Sequence, residues 1–214
     1  MRPFRDRRHA GQILGEQLAA DADRGDAVVL ALPRGGVPVG YEVARALGAP
    51  LDVFVVRKLG APGQEELAIG AVASGGTRVL NDDVVAELGL SEEEIDAIAE
   101  RERGELERRE RSYRGDRGSL EVQGKRVILV DDGLATGATM RAAARAVRTL
   151  GPQAITVAVP VAPVQSCRDL RDEVEEVVCV ETPSPFQAIS LWYEEFPQTS
   201  DDEVRGLLRE AAPA

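Results

Sequence analysis

Two adjacent carboxylates, Asp131 and Asp132, follow four apolar residues in the stretch 127–139, VILVDDGLATGAT. A loop of small and hydroxyl side chains comes next, Gly133-Leu134-Ala135-Thr136-Gly137-Ala138-Thr139, and leads into helix-like sequence. The apolar run reads as a buried strand, and ligands of open α/β sheets gather beyond the carboxyl ends of such strands. A tight turn that opens a helix points unpaired backbone N–H groups outward. Thr136 and Thr139 add hydroxyls, so the loop suits a phosphate monoester. Paired acids would repel that same phosphate. They serve better one step away, accepting hydrogen bonds from sugar hydroxyls or supporting a divalent cation. An anion cup beside a diacid points to a phosphorylated sugar. Other phosphate motifs fail on spacing: a Walker loop needs Lys where Ala138 stands, and no GxGxxG occurs. A receiver-type reading of the strand-end acids finds no further partners here.

The elements that must carry this loop alternate in kind. Short β-branched runs occupy 27–32, 51–56, 126–130, 154–159 and 177–180. Between them, Val39, Val43, Ala46 and Leu47, and then Met140, Ala143, Ala144 and Val147, recur at helical spacing. Runs apolar throughout suit strands buried on both faces. The pattern predicts one α/β domain, a doubly wound, mostly parallel sheet. Two segments stand outside it. Residues 81–119 hold a polar helix from Ser91 to about Arg111, opened by a Ser91/Glu94 capping signature. Its apolar stripe (Ile95, Ile98, Leu106) is thin, which predicts a solvated insertion. Residues 182–200 hold four of the chain's eight aromatics, Phe186, Trp192, Tyr193 and Phe196, behind two prolines. They read equally as a satellite hydrophobic cluster or as an aromatic lid over a planar ligand.

Composition narrows the function. A net charge of −11 argues against a nucleic-acid surface. Two cysteines, Cys167 and Cys179, make no disulfide scaffold, and a single His9 leaves zinc or His-triad chemistry little to work with. His9 itself reads as an exposed or packed residue. No apolar run approaches the roughly 18 residues of a membrane span. The basic start of the chain lacks an apolar signal core. A reduced, cytoplasmic protein is expected.

The 13-residue stretch VILVDDGLATGAT resembles the ribose-5-phosphate-binding motif of the type I phosphoribosyltransferases, with Gly133 standing where that family usually carries an aliphatic residue. Two further segments match in the family's order. Leu32-Pro33-Arg34-Gly35-Gly36 resembles its pyrophosphate loop, and Arg57-Lys58-Leu59-Gly60-Ala61-Pro62-Gly63 the start of its flexible catalytic loop. Only two of the 26 basic residues are lysines, which makes Lys58 more informative. The resemblance implies a core over about 27–180, the helical insertion 81–119, and a base-gripping hood from about 1–22 and 182–214. Asp6–Leu18 would be a helix of that hood.

The resemblance also implies transfer of ribose 5-phosphate from phosphoribosyl pyrophosphate to a nitrogenous base. The loop Ala135, Thr136, Gly137, Ala138, Thr139 would bind the 5-phosphate, and Asp131 and Asp132 the ribose hydroxyls. Arg34, Gly35, Gly36, Arg57 and Lys58 would serve the diphosphate. Mg²⁺ would be carried mainly by substrate, with no dedicated protein ligands. Glu66, next to Glu65, is the candidate acid/base, equally readable as a solvated loop glutamate. Phe186 or Trp192 would stack on the base. Ala135, and the absence of lysine after Lys125, resemble the adenine members more than the 6-oxopurine ones. A homodimer with Arg57 near the neighbour's site fits the family. Two alternatives stay open: a non-catalytic phosphoribosyl-pyrophosphate or nucleotide sensor on the same fold, and an interaction domain using the charged helix 91–111. For the sensor, 101–117 offers seven arginines against five acids, a thin excess for nucleic acid.

Overall fold

A computed structural model describes residues 4–19, 26–115, 118 and 121–211; the side chains of Glu65 and Glu66 fall outside that description. In chain order the first half comprises α1 (Arg7–Ala19), β1 (Ala27–Ala31), α2 (Gly36–Leu47), β2 (Leu51–Val53), β3 (Val56–Ala61), β4 (Gln64–Ala73), β5 (Thr77–Leu80), α3 (Asp82–Leu88) and α4 (Glu92–Arg114). The second comprises β6 (Arg126–Val130), α5 (Ala138–Thr149), β7 (Ala154–Val161), α6 (Val164–Leu170), β8 (Glu176–Glu181) and α7 (Asp201–Glu210).

Five strands form one parallel sheet in the order β2-β1-β6-β7-β8. Every residue of β1, and all but the first of β6 and β7, is buried, because helices cover both faces. Alternation sorts the side chains. Ile128 and Val130 of β6 pack with Leu14 of α1 and Val39 and Val43 of α2, while Val127 and Leu129 pack with Met140, Ala143 and Val147 of α5. The strand order changes direction at β1 and β6, so the crevice beyond their carboxyl ends is the place for a ligand.

Four expectations change. Residues 51–56 split into β2 and β3, and the stretch 57–63 is not a long loop. It is strand β3 and the start of a tight turn into β4, in a second sheet with antiparallel order β3-β4-β5. The sequence of β4, QEELAIGAVA, is rich in small residues and hides its strand character. The charged helix α4 has the reciprocal Ser91/Glu94 capping box, yet it is not a solvated arm. Ile95, Ala99, Leu106 and Tyr113 are buried against Val53, Val55, Leu59 and Ile69. Arg114 clamps Asp52 of β2 at 3.0 Å. Finally, Cys167 of α6 and Cys179 of β8 are paired as a disulfide rather than left as reduced thiols.

The burial of α4 is testable. Leu106→Ala is expected to cost about 2–5 kcal/mol, as for other buried leucines. Urea denaturation followed by circular dichroism measures it, and a loss under about 0.5 kcal/mol would return the helix to solvent.

Candidate active site

The loop between β1 and α2 is pressed onto the end of β6. A methyl group added at Gly35 would lie 2.1 Å from Asp132 Oδ2, and one at Gly36 would lie 2.7 Å from the Val130 carbonyl oxygen. Only glycine permits this approach. The Pro33–Arg34 peptide in the same loop is cis. Thus the structure brings the proposed pyrophosphate loop and the diacid together.

The two acids then differ in surroundings. Asp132 is buried, and its Oδ2 accepts a 2.7 Å hydrogen bond from Arg7 Nε of α1. Its carbonyl oxygen accepts one from the Tyr193 hydroxyl at 2.6 Å. Arg7 also donates to the Pro197 carbonyl at 2.6 Å and lies 3.7 Å over the Phe196 ring. Asp131 is half-buried, makes no ion pair with a described residue, and accepts from the Asp132 backbone N–H at 2.8 Å. Desolvation, reinforced by the charge of Asp132, pushes the Asp131 pKa well above the usual carboxylate range. Tyr193 is pushed up as well, by burial and then by the Asp132 charge.

Beyond the acids, Ala135, Thr136 and Thr139 are exposed. None of the backbone N–H groups of Ala135, Thr136 and Gly137 donates to a described residue outside the loop. Gly137 takes the left-handed φ of +71° as the N-cap of α5, which aims the first turn of that helix at the loop. The loop is held from behind. Ser166 Oγ donates to the Ala135 carbonyl at 2.6 Å, and Arg141 reaches the Thr136 carbonyl at 3.3 Å. Gly133 has a packing reason: a methyl there would lie 2.7 Å from Ile189 Cγ2, so the hood fills the space that an aliphatic residue would take.

Other predicted residues lie further out. Arg57 turns to α4, where it grips Glu102 at 2.7 Å. Lys58 is exposed on β3 and lines a cleft of about 190 Å³ with Asn81, Arg141, Arg145 and Ala138, the last a residue of the 133–139 loop. Glu66 lies on strand β4 rather than in a loop, and its side chain is among those not described. Phe186 and Trp192 are half-buried against Phe4, Ala10, Val161 and Tyr193. The chain's start joins this hood directly: Phe4 pairs with Tyr193, and the Phe4 N–H donates to the Trp192 carbonyl at 2.8 Å. His9 makes local turn bonds, accepting from the Arg5 N–H at 3.2 Å, and its ring meets the Phe4 ring edge-on. Sequence reasoning missed Arg7 and Tyr193. Tyr193 sat unselected within the aromatic run, and no spacing rule links Arg7 to an acid 125 positions away.

A family model for the phosphoribosyl transferase domain matches residues 7–194. The chain belongs to the phosphoribosyl transferase family. It is 46% identical over 211 residues to Mycobacterium tuberculosis proteins of strains CDC 1551 and H37Rv, each provisionally named a phosphoribosyl transferase. That alignment covers 99% of this chain and 47% of theirs, so the chain spans about half the length of these curated relatives. The crystal structure of TT1426 from Thermus thermophilus superposes with a TM-score of 0.90 at 44% identity, covering all of both chains. The AQ2163 protein of Aquifex aeolicus shares the fold at a TM-score of 0.50 and 13% identity, over 82% of this chain and 74% of its own. Membership accounts for the mostly parallel sheet flanked by helices. No described helix is long and apolar enough to cross a membrane.

Two outcomes follow from this geometry. Removing one partner of a buried ion pair strands the other, so Arg7→Met and Asp132→Asn should each cost about 3–5 kcal/mol. The double variant should cost clearly less than the two together, in a denaturation cycle; strict additivity would mean the contact contributes nothing. Asp131 gives the opposite sign. Its raised folded pKa makes ionisation unfavourable to the fold, so stability from this group is full below the unfolded pKa and falls as pH rises through the folded one. Asp131→Asn should therefore gain thermal stability over wild type between pH 4 and pH 8, and a pH-independent melting difference would contradict the burial argument.

Proposed function

We propose that this chain transfers ribose 5-phosphate from phosphoribosyl pyrophosphate to a ring nitrogen of a purine- or pyrimidine-like base and releases pyrophosphate. The observation that carries the reading is the close approach of Gly35 to Asp132, beside a loop with free N–H groups at the start of α5. Family membership supports the general transferase class.

In this reading the N–H groups of residues 135–139 and the hydroxyls of Thr136 and Thr139 hold the 5-phosphate. Asp131 accepts hydrogen bonds from the ribose hydroxyls. Its carboxylate also favours the positive charge that develops on the ribose ring as the bond to diphosphate breaks and the C–N bond forms. Asp132 orients this apparatus through Arg7 and Tyr193 rather than meeting solvent. The N–H groups and side chain around Arg34 stabilise the departing diphosphate. The described residues contain no cluster of three or more metal-ligating side chains, and Asp131 alone of the diacid has no ion pair. In this reading a Mg²⁺ ion, carried mostly by substrate oxygens, would supply charge neutralisation on the diphosphate. The half-buried rings of Phe186 and Trp192 are the hood surfaces on which a base would stack. Glu66 stays the candidate for proton transfer with the base.

The test is pyrophosphate release with Mg²⁺, phosphoribosyl pyrophosphate and a panel of bases. Base-dependent release is expected, with Asp131→Asn lowering kcat/KM at least about tenfold (about 1.4 kcal/mol) and Trp192→Ala shifting base preference more than donor affinity. Tight donor binding without release by any base would replace the enzyme with a sensor.

A further inference from the structure

A cleft of about 460 Å³ opens directly from the loop between β1 and α2, and its far wall is the helical insertion. It is lined by Arg34 of that loop, by Arg108, Arg109, Ser112 and Tyr113 of α4, and by Asp201 at the start of α7. Three guanidinium groups face one carboxylate, and the lining is almost wholly polar. The arginines of α4 are set in place from behind. Glu105 accepts from Arg108 Nε and Arg109 Nε, each at 2.8 Å, and these bonds bring the Glu105 pKa down to about 2. The terminal nitrogens of Arg109 donate to no described residue. Arg34 meets Asp201 at 3.5 Å, and the Tyr113 hydroxyl donates to the same carboxylate at 2.8 Å. Asp201 is thus a stand-in that holds Arg34 at the cleft while leaving its charge only loosely paired. Such a ring of guanidinium groups matches a multiply charged phosphate group, which can accept two parallel N–H bonds from each.

Gly35, the neighbour of Arg34, is packed against Asp132, so Arg34 stands both beside the diacid and on the wall of this cleft. We propose that α4 builds an additional diphosphate subsite, in which Arg108 and Arg109 act with Arg34 to bind and position the leaving group. This rests on the transferase reading for the sugar's place. The charged helix, read from sequence as a solvated insertion, becomes a wall of the site.

Titration calorimetry on the full chain, with inorganic pyrophosphate and separately with ribose 5-phosphate, tests it. Arg108→Ala/Arg109→Ala should weaken pyrophosphate binding at least about tenfold and leave ribose 5-phosphate within about twofold of wild type. Asp201→Asn removes the competing charge and should tighten pyrophosphate severalfold. Arg101→Ala, exposed on the same helix and paired with its neighbour Glu102, is the control for general charge and should change neither. Unchanged pyrophosphate affinity in the double variant, an equal loss for both ligands, or no wild-type pyrophosphate binding would overturn the subsite. Arginine-dependent pyrophosphate binding without any ribose 5-phosphate binding would keep the subsite and sink the transferase reading instead.

Discussion

With no side chain at position 35, the backbone after β1 lies within van der Waals reach of the Asp132 carboxylate at the end of β6. Much of the site depends on that contact. A carboxylate so enclosed needs a cationic partner, and Arg7 supplies it from the first helix while also holding Pro197 and Phe196 of the hood. One buried acid therefore joins four parts of the chain: the β1 loop, the loop that follows β6, the N-terminal helix and the hood. The Tyr193 hydroxyl bonds the same residue's carbonyl and closes the network from above. Because every member is partnered, the network specifies a single arrangement rather than a loose polar pocket.

The division between the two aspartates follows from the same constraint. Asp132 is turned inward and satisfied by protein. Asp131 is left half-buried with one backbone donor, and its charge is costly. A group held in that condition is suited to a ligand whose hydroxyls or bound cation complete its surroundings. Behind them, Ser166 and Arg141 occupy the Ala135 and Thr136 carbonyl oxygens of the 133–139 loop. The loop is tied down through its carbonyl oxygens, while the Ala135, Thr136 and Gly137 N–H groups donate to no described residue outside it.

The insertion changes meaning once its packing is known. Its charged composition suits solvent, but four residues on one stripe fill a gap over the antiparallel sheet, and Arg114 bonds β2. A helix anchored in this way can present Arg108 and Arg109 toward the β1 loop at a fixed distance. The same helix also holds Arg57 of β3 by pairing it with Glu102.

The sequence by itself determined the parallel α/β core, the positions of β1, β6, α2 and α5, the capping box at Ser91, and the small-residue loop that follows the diacid at the end of β6. These are local signals: unbroken apolar runs, helical spacing, and small residues crowded after a strand. Tertiary structure alone decided which acid is buried, that Arg7 and Tyr193 serve it, that Gly133 makes room for Ile189, that the two cysteines meet, and that 57–73 folds as a hairpin. Each of these depends on residues far apart in the chain that come together only when the sheet is assembled, and composition or spacing within one segment carries no record of such a meeting.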